Sequence, residues 1–204
     1  MITIVDYGLG NILAFANIYK RLNISIRVAQ TSSELAKAEK IILPGVGAFD
    51  WAMSLLNNSG MREKLDYLVL VQKKHVLGVC VGMQMMAKSS EEGKERGLGW
   101  IDADVIKLNE NTFSQKTHLP HMGWNDVIPM STACLFKNLE MIPRFYFLHS
   151  YFFSPNKKED VLAHTDYNGH FASAVHSGNV YGTQFHPEKS HQWGIQLLKN
   201  FAEI

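Results

Sequence analysis

The sequence predicts an α/β protein with an open, largely parallel central sheet, helices on both faces of the sheet and a mixed β extension. Short apolar runs alternate with helix-period stretches in the first half, which is typical of strands joined by crossover helices. The second half carries closely spaced β-rich runs, which favour a mixed or antiparallel extension. A hydrophobic fraction of 46% with 19% charged residues is ordinary for a globular chain.

Length, charge and cysteine content narrow the class of protein. We expect a single domain over residues 1–204. The 20 basic and 19 acidic residues leave a net charge of +1, so we expect no nucleic acid or membrane partner but a small ligand or a protein. Two cysteines are too few for a disulfide scaffold, and the first residues resemble a strand rather than a secretory signal. We therefore expect a cytoplasmic protein without a membrane-spanning segment.

The first half predicts four strands with helices between them. The first helix, 11–22, repeats apolar residues at helical spacing, and Ser32 or Ser33 is a candidate cap for the second. Helical stretches follow the third strand through about residue 71. The four predicted strands are residues 2–5, 24–28, 40–43 and 76–79.

The second half predicts four shorter β runs and a closing helix at 192–202. Residues 109–138 are rich in Asn, Ser, Thr and Pro, which indicates loops and turns. The predicted β runs are 105–108, 145–148, 172–175 and 180–185.

The most informative local feature is a cysteine between two glycines, after an apolar strand and before a helix: Gly78-Val79-Cys80-Val81-Gly82. This pattern is typical of a nucleophile elbow, where small residues let the strand and the helix approach closely. Free backbone N–H groups at the start of the helix favour a thiolate. A buried structural cysteine with two packing glycines explains these residues about as well.

A second feature places a histidine and a carboxylate on either side of a proline, in His186-Pro187-Glu188. In an extended backbone, residues two apart share a face, so Glu188 should reach the His186 ring and leave its other nitrogen to act as a base. Taken alone, an exposed turn with a surface His–Glu contact is the more frequent explanation. Together with Cys80, the pair supplies a nucleophile, a base and an orienting carboxylate at strand ends, where open α/β sheets place active sites.

Acyl transfer also needs backbone N–H groups that face the developing oxyanion. The turn Pro44-Gly45-Val46-Gly47 leaves a neighbouring strand, so an amide near Gly47 could join that of Val81, although a simple Pro-Gly turn is the alternative. Gln84 follows Cys80 by one helical turn and should face the same pocket. We expect no metal and no cofactor.

Several segments resemble the class I (triad) glutamine amidotransferases, and more narrowly the glutaminase subunits of imidazole glycerol phosphate synthase, which act in histidine biosynthesis. The resemblance runs nearly end to end. The opening segment and the PHMGWN segment are more specific to these subunits than the triad, which many amidotransferases share. The segments that carry it are Val5-Asp6-Tyr7-Gly8-Leu9-Gly10-Asn11, Pro44-Gly45-Val46-Gly47, Pro120-His121-Met122-Gly123-Trp124-Asn125, His149-Ser150-Tyr151 and the run from Gln184 to Ser190.

The resemblance implies a glutaminase that forms a γ-glutamyl thioester on Cys80, while His186 carries protons and Glu188 holds the His186 ring. It implies an oxyanion hole at Gly47 and Val81. The residues implied to hold the amino-acid end of glutamine are Gln84, His149, Ser150 and Tyr151.

The resemblance also implies a partner, a cyclase subunit with a (β/α)8 barrel that forms a heterodimer with this chain and receives ammonia through a tunnel. Confined delivery is chemically useful because free ammonia would be protonated and lost in bulk water. Activity without the partner should be low. The residues that match segments near that interface are Asn11, Met122, Trp124 and Lys189.

Two departures from the family pattern leave room for different functions. Val81 stands where the family often has Leu, and Trp100 stands where a smaller aliphatic residue is usual. The same glutaminase chemistry could therefore serve a paralogous system that amidinates bacterial surface sugars. A stand-alone cysteine γ-glutamyl hydrolase would also use the triad, but PHMGWN argues against it. A non-catalytic interaction protein would not need all three triad residues.

Overall fold

The computed structural model describes residues 1–109, 117–130, 133–139 and 142–204. Its strands are β1 (Ile2–Val5), β2 (Ile26–Ala29), β3 (Lys40–Gly45), β4 (His75–Cys80), β5 (Ser89–Ser90), β6 (Ala103–Lys107), β7 (His121–Asp126), β8 (Ile128–Pro129), β9 (Arg144–His149), β10 (Tyr151–Pro155), β11 (Val161–Asp166), β12 (His170–Ser177) and β13 (Val180–Thr183). Its helices are α1 (Ile12–Arg21), α2 (Ser32–Leu35), α3 (Phe49–Asn58), α4 (Arg62–Asp66), α5 (Val81–Gln84) and α6 (His191–Glu203). A π-helical turn spans Tyr67–Val71, and 3₁₀ turns span Cys134–Phe136, Lys158–Asp160 and Pro187–Lys189.

The predicted fold class is confirmed. An eight-stranded sheet has the order β2-β1-β3-β4-β13-β12-β11-β8. Strands β2, β1, β3, β4 and β13 pair in parallel, whereas β12, β11 and β8 continue the sheet antiparallel. A three-stranded sheet (β10-β6-β5) and a two-stranded ribbon (β7-β9) complete the described strands. Strands β1, β3 and β4 are almost wholly buried, as expected for central parallel strands with apolar sequences.

The cap of α2 differs from the prediction of Ser32 or Ser33. Thr31 occupies the N-cap position with an extended backbone, and its side chain accepts a hydrogen bond from the Glu34 N–H at 3.3 Å. The Glu34 carboxylate accepts one in return from the Thr31 N–H at 3.2 Å. This is a capping box, and its Thr-x-x-Glu spacing selects the residue before the two serines.

The prediction of loops over residues 109–138 is wrong for much of its described part, since β7, β8 and a 3₁₀ turn lie there. Residues 110–116 and 131–132 of that range lie outside the described residues. Strand β7 looks polar because it belongs to a ribbon in which buried and exposed side chains alternate. Strands β5, β10 and β11 are likewise absent from the predicted elements, and the last predicted strand ends early, at Thr183.

Close contact between β3 and α5 sets the geometry of the region around Cys80. A Cβ atom on Gly82 would lie 2.0 Å from the Leu43 carbonyl oxygen, and one on Gly45 would lie 2.3 Å from the Gly82 nitrogen. Gly45 also pairs with Cys80 across the parallel ladder. Only glycine fits these positions, so the end of β3 lies directly beside the strand-to-helix turn at Cys80.

None of the described helices is both long enough and apolar enough to cross a membrane.

Candidate active site

Cys80 ends β4 and immediately precedes α5. Its backbone has φ 54° and ψ −112°, a strained conformation for a residue with a side chain. A Cβ atom on Gly78 would lie 2.6 Å from the Gly82 carbonyl oxygen, so both glycines are needed for this sharp turn. The predicted arrangement of strand, cysteine and helix is present, with Cys80 buried at one wall of a cavity.

His186 and Glu188 form a buried hydrogen-bonded pair, with 2.8 Å between His186 Nδ1 and Glu188 Oε1. The contact is as predicted, but the extended backbone proposed for it is wrong. Only His186 is extended; Pro187–Lys189 is a 3₁₀ turn, which brings the carboxylate back to the ring. The Ser190 hydroxyl donates to the His186 carbonyl at 2.6 Å and accepts from the Tyr146 N–H at 3.0 Å, which fixes this turn against β9.

The environment of His186 favours its protonated form. Burial lowers the pKa of His186, but hydrogen bonds to the Cys80 side chain and to Glu188, with the negative charges of both groups, outweigh burial and raise it to about 10. The neighbouring Cys80 and Glu188 side chains therefore favour the charged form of the ring.

Tyr7, from the opening motif, lies close enough to Cys80 to sense its charge. Burial, and then a negative charge on Cys80, raise the pKa of the Tyr7 hydroxyl. That hydroxyl donates to the Pro44 carbonyl at 2.7 Å. The opening segment thus holds the end of β3, from which the Val46-Gly47 turn departs.

The cavity beside Cys80 has a volume of about 320 Å³, within the range of small-ligand sites. It brings together Cys80 and His186 of the predicted triad with all six residues predicted for the oxyanion and the substrate. Predicted residues that line it are Gly47, Cys80, Val81, Gln84, His149, Ser150, Tyr151, His186 and Lys189. Lining residues that sequence reasoning missed are Val46, Glu92, Pro120 and Leu148.

Gln84 has both amide hydrogens engaged. Its Nε2 donates to the Tyr151 carbonyl at 2.9 Å and to Gln184 Oε1 at 3.2 Å. Gln184 Nε2 lies 3.8 Å from Cys80 Sγ. Gln84 Oε1 is therefore the atom of this side chain that can contact a ligand, and it can only accept a hydrogen bond.

Glu92 is the acidic side chain among the described residues that line the cavity. Its Oε2 accepts from the Phe49 N–H at 2.9 Å, at the start of α3. In return the Asp50 carboxylate accepts from the Lys94 and Glu95 N–H groups at 2.9–3.0 Å. These hydrogen bonds hold the segment around Glu92 against the start of α3.

Of the four predicted interface residues, Lys189 lines the cavity and the other three do not. Met122 and Trp124 are 65% and 37% exposed, and they pair across the ribbon with Leu148 and Tyr146. We call these four residues the ribbon face. Trp124 also stacks on His191, with ring centroids 5.3 Å apart.

Two further residues border the ribbon face or α1. Lys189 Nζ lies 5.6 Å from the centre of the Tyr146 ring, which brings the end of the 3₁₀ turn to the ribbon face. Asn11 is exposed and precedes α1 without capping the helix through its side chain.

Comparisons with known proteins all point to one family. The model of the class I glutamine amidotransferase family matches residues 3–204. The chain is 58% identical to the imidazole glycerol phosphate synthase subunit HisH of Bdellovibrio bacteriovorus, over 100% of both chains. It is 44% identical to the subunit HisH 2 of Pseudomonas aeruginosa, again over 100% of both.

Solved structures agree in fold. A crystal structure of a glutamine amidotransferase has a TM-score of 0.75 and 19% identity, covering 100% of this chain and 99% of that one. The structure of PurLQS from Thermotoga maritima has a TM-score of 0.72 and 17% identity, covering 99% of this chain and 97% of that one.

Proposed function

This chain belongs to the class I glutamine amidotransferase family, and we propose that it hydrolyses glutamine as the glutaminase subunit of an imidazole glycerol phosphate synthase. Support for this role comes from full-length identity of 58% and 44% to proteins named as HisH. Support for the chemistry comes from one arrangement: Cys80 on a strained turn and a His186 ring that Glu188 holds line the same cavity.

In the first half of the reaction, the Cys80 thiolate attacks the side-chain carboxamide carbon of glutamine. The carbonyl oxygen takes up negative charge, and the N–H groups of Gly47 and Val81 are the candidates to stabilise it. The His186 imidazolium donates its proton to the amide nitrogen, the C–N bond breaks and ammonia leaves. A γ-glutamyl thioester remains on Cys80.

In the second half, water attacks the thioester carbon and neutral His186 accepts its proton. The C–S bond then breaks, which releases glutamate with its side chain as the carboxylic acid and restores the Cys80 thiolate beside a His186 imidazolium; the released acid then loses its proton to water. Glu188 keeps its hydrogen bond to Nδ1 throughout, which leaves Nε2 as the ring nitrogen that exchanges the proton. Atoms and charges balance without a metal or a cofactor.

The cavity lining also suggests how glutamine is oriented. The Glu92 carboxylate and Gln84 Oε1 are both hydrogen-bond acceptors at the wall of the cavity. They suit the α-ammonium group of the substrate rather than its α-carboxylate. Ser150 and Tyr151 line the same cavity and complete the proposed contacts to the amino-acid end.

The proposed partner is the cyclase subunit, whose (β/α)8 barrel receives ammonia from this chain in a heterodimer. The ribbon face supports a docking role because it exposes Met122, Trp124 and Leu148 together, and large apolar side chains are enriched in interface centres. Lys189 borders this face and also lines the cavity, so we place the contact next to the reaction site. Asn11 is the fourth proposed contact.

A glutaminase assay tests the proposal. We expect slow glutamate release by the chain alone, strong stimulation by the cyclase from the same genome, and loss of both in Cys80→Ala. Cys134→Ala is the matched control, because Cys134 is the second cysteine of the chain and lies away from the cavity lining. Stimulation that survives Cys80→Ala would refute the proposed chemistry.

A second candidate is the same glutaminase in a paralogous system that amidinates bacterial surface sugars. Its support is the departure from the family pattern at Trp100. The Trp100 indole donates to Asp66 at 2.7 Å and does not line the cavity, so it leaves the glutamine chemistry unchanged. Exchange of cyclase partners separates the two candidates: the histidine-pathway cyclase should stimulate this chain, and stimulation only by a paralogous cyclase would favour the second.

A further inference from the structure

Two buried imidazole rings and one amide form a hydrogen-bonded chain behind the cavity; we call Asn125, His121 and His149 the histidine chain. Asn125 Nδ2 lies 3.2 Å from His121 Nε2, and His121 Nδ1 lies 3.0 Å from His149 Nε2. His149 Nδ1 lies 2.9 Å from the Tyr151 carbonyl oxygen. The mechanism uses neither His121 nor Asn125.

Both ends of the histidine chain fix where its protons lie. Asn125 Nδ2 also contacts the Asp166 carbonyl oxygen at 2.9 Å, and a carbonyl can only accept, so the amide nitrogen must face this way. His121 Nε2 therefore accepts from Asn125, and the His121 proton is on Nδ1. At the other end the Tyr151 carbonyl must accept from His149, so the His149 proton is also on Nδ1.

The two ends agree, with each Nε2 bare and each Nδ1 protonated. An extra proton on Nε2 of either ring would leave two N–H groups pointing at each other, and the hydrogen bond between those two nitrogens would be lost. Burial works in the same direction: it lowers the pKa of His121 to about 4. Burial, followed by the neighbouring His121, lowers the pKa of His149 to about 3, and His186 acts in the same sense. The rings therefore act as fixed neutral dipoles.

The histidine chain ends on the backbone that lines the cavity. The Tyr151 carbonyl accepts both from His149 and from Gln84 Nε2, each at 2.9 Å. This double contact sets the position of the Ser150-Tyr151 backbone. Ring packing holds His121 in turn, because it stacks on Tyr167 and Phe147 with centroid distances of 3.9 and 4.6 Å.

We propose that His121 and Asn125 are positioning residues for glutamine binding: they fix the His149 ring, which holds the Ser150-Tyr151 segment at the cavity. The same strand, β7, turns His121 inward and Met122 and Trp124 outward to the ribbon face. The histidine chain thus joins the proposed docking face to the proposed substrate segment through one strand. This inference rests on the proposed function and adds to it how the substrate segment is held.

The test uses His121→Phe, which keeps an aromatic ring between Tyr167 and Phe147 and removes both hydrogen bonds. We expect KM for glutamine to rise about 10-fold, the equivalent of one lost hydrogen bond, with kcat within about threefold of the original. His170→Phe, at an exposed histidine of β12, is the matched control and should change neither. An unchanged KM in His121→Phe would overturn the proposal.

Two electrophiles distinguish positioning from general damage. A glutamine-analogue electrophile needs the Ser150-Tyr151 segment, so its labelling of Cys80 should slow about 10-fold in His121→Phe. Iodoacetamide lacks an amino-acid end and should label Cys80 at the original rate. Parallel slowing of both would overturn the proposal in favour of a structural role. Failure of the unaltered chain to react with the glutamine analogue would instead count against the proposed function.

The nitrogen-15 shifts of the imidazoles provide a test that needs no substitution. We expect His121 and His149 both to carry their proton on Nδ1 in the unaltered protein at neutral pH. An Nε2-protonated ring at either position would break the hydrogen-bond order of the chain and overturn the proposal.

Discussion

Acid should destabilise this fold through His121 and His149. Burial lowers the pKa of His121 to about 4, and burial together with His121 lowers that of His149 to about 3. An unfolded chain binds the same protons near pH 6.5, so each histidine takes up a proton on unfolding below that pH. The contribution of these two neutral rings to the free energy of unfolding is therefore fully present above pH 6.5 and is lost as the pH falls toward their pKa values in the folded protein.

The magnitude follows from these values. Between pH 8 and pH 5 each histidine should remove about 2 kcal/mol from the free energy of unfolding, and both together about 4 kcal/mol. This is a large share of a typical stability of about 5–15 kcal/mol. Burial also lowers the pKa of His75, and the contacts of His186 raise its pKa, so the unaltered protein alone does not isolate the two histidines.

The assay is urea unfolding at a series of pH values, for the unaltered protein and for the double variant His121→Phe/His149→Phe. Contributions from the other groups cancel in the comparison. The unaltered protein should lose about 4 kcal/mol more than the double variant between pH 8 and pH 5. Equal losses in the two proteins would refute the reasoning, because they would mean that these rings are not held neutral.

Three further predictions concern the turn, the triad and the ribbon face. Gly82→Ala would place a Cβ atom 2.0 Å from the Leu43 carbonyl oxygen and so displace the turn at Cys80. We expect kcat to fall on the order of 100-fold, while circular dichroism shows a retained fold. An unchanged kcat would contradict this expectation. Glu188→Gln removes the charge beside His186, so the pKa of His186, followed by NMR titration, should fall. We also expect kcat to fall on the order of 10² to 10⁴-fold. An unaltered titration of His186 would count against the role of Glu188. Trp124→Ala should weaken binding of the cyclase about 30-fold in calorimetry without changing the melting temperature, and unaltered affinity would remove the ribbon face from the interface.

Local sequence patterns predict the parts of the site whose geometry is set within a few residues. Cys80 is predicted because the strand, the two glycines and the helix are consecutive. The partners His186 and Glu188 are predicted for the same reason. Their backbone is not, because Pro187 begins a 3₁₀ turn that the Ser190 hydroxyl holds against β9, a contact 44 residues distant in sequence.

Residues whose place depends on distant segments are not predicted. Glu92 reaches the cavity through contacts with the start of α3, more than 40 residues earlier. His121 meets His149 only because β7 pairs with β9. The same holds for the fold. Apolar parallel strands can be predicted from their own residues, whereas a half-exposed ribbon strand such as β7 forms only because a partner strand pairs with it.

The most direct test of the proposed chemistry is acid quenching of the protein during turnover with glutamine, followed by peptide mass analysis of its two cysteines. Cys80 is buried and Cys134 is exposed, so nonspecific acylation would favour Cys134. We predict a glutamyl thioester on Cys80, none on Cys134, and no adduct or turnover in Cys80→Ala. Glutamate release that continues in Cys80→Ala, or an adduct on Cys134 alone, would contradict a mechanism through Cys80, His186 and Glu188.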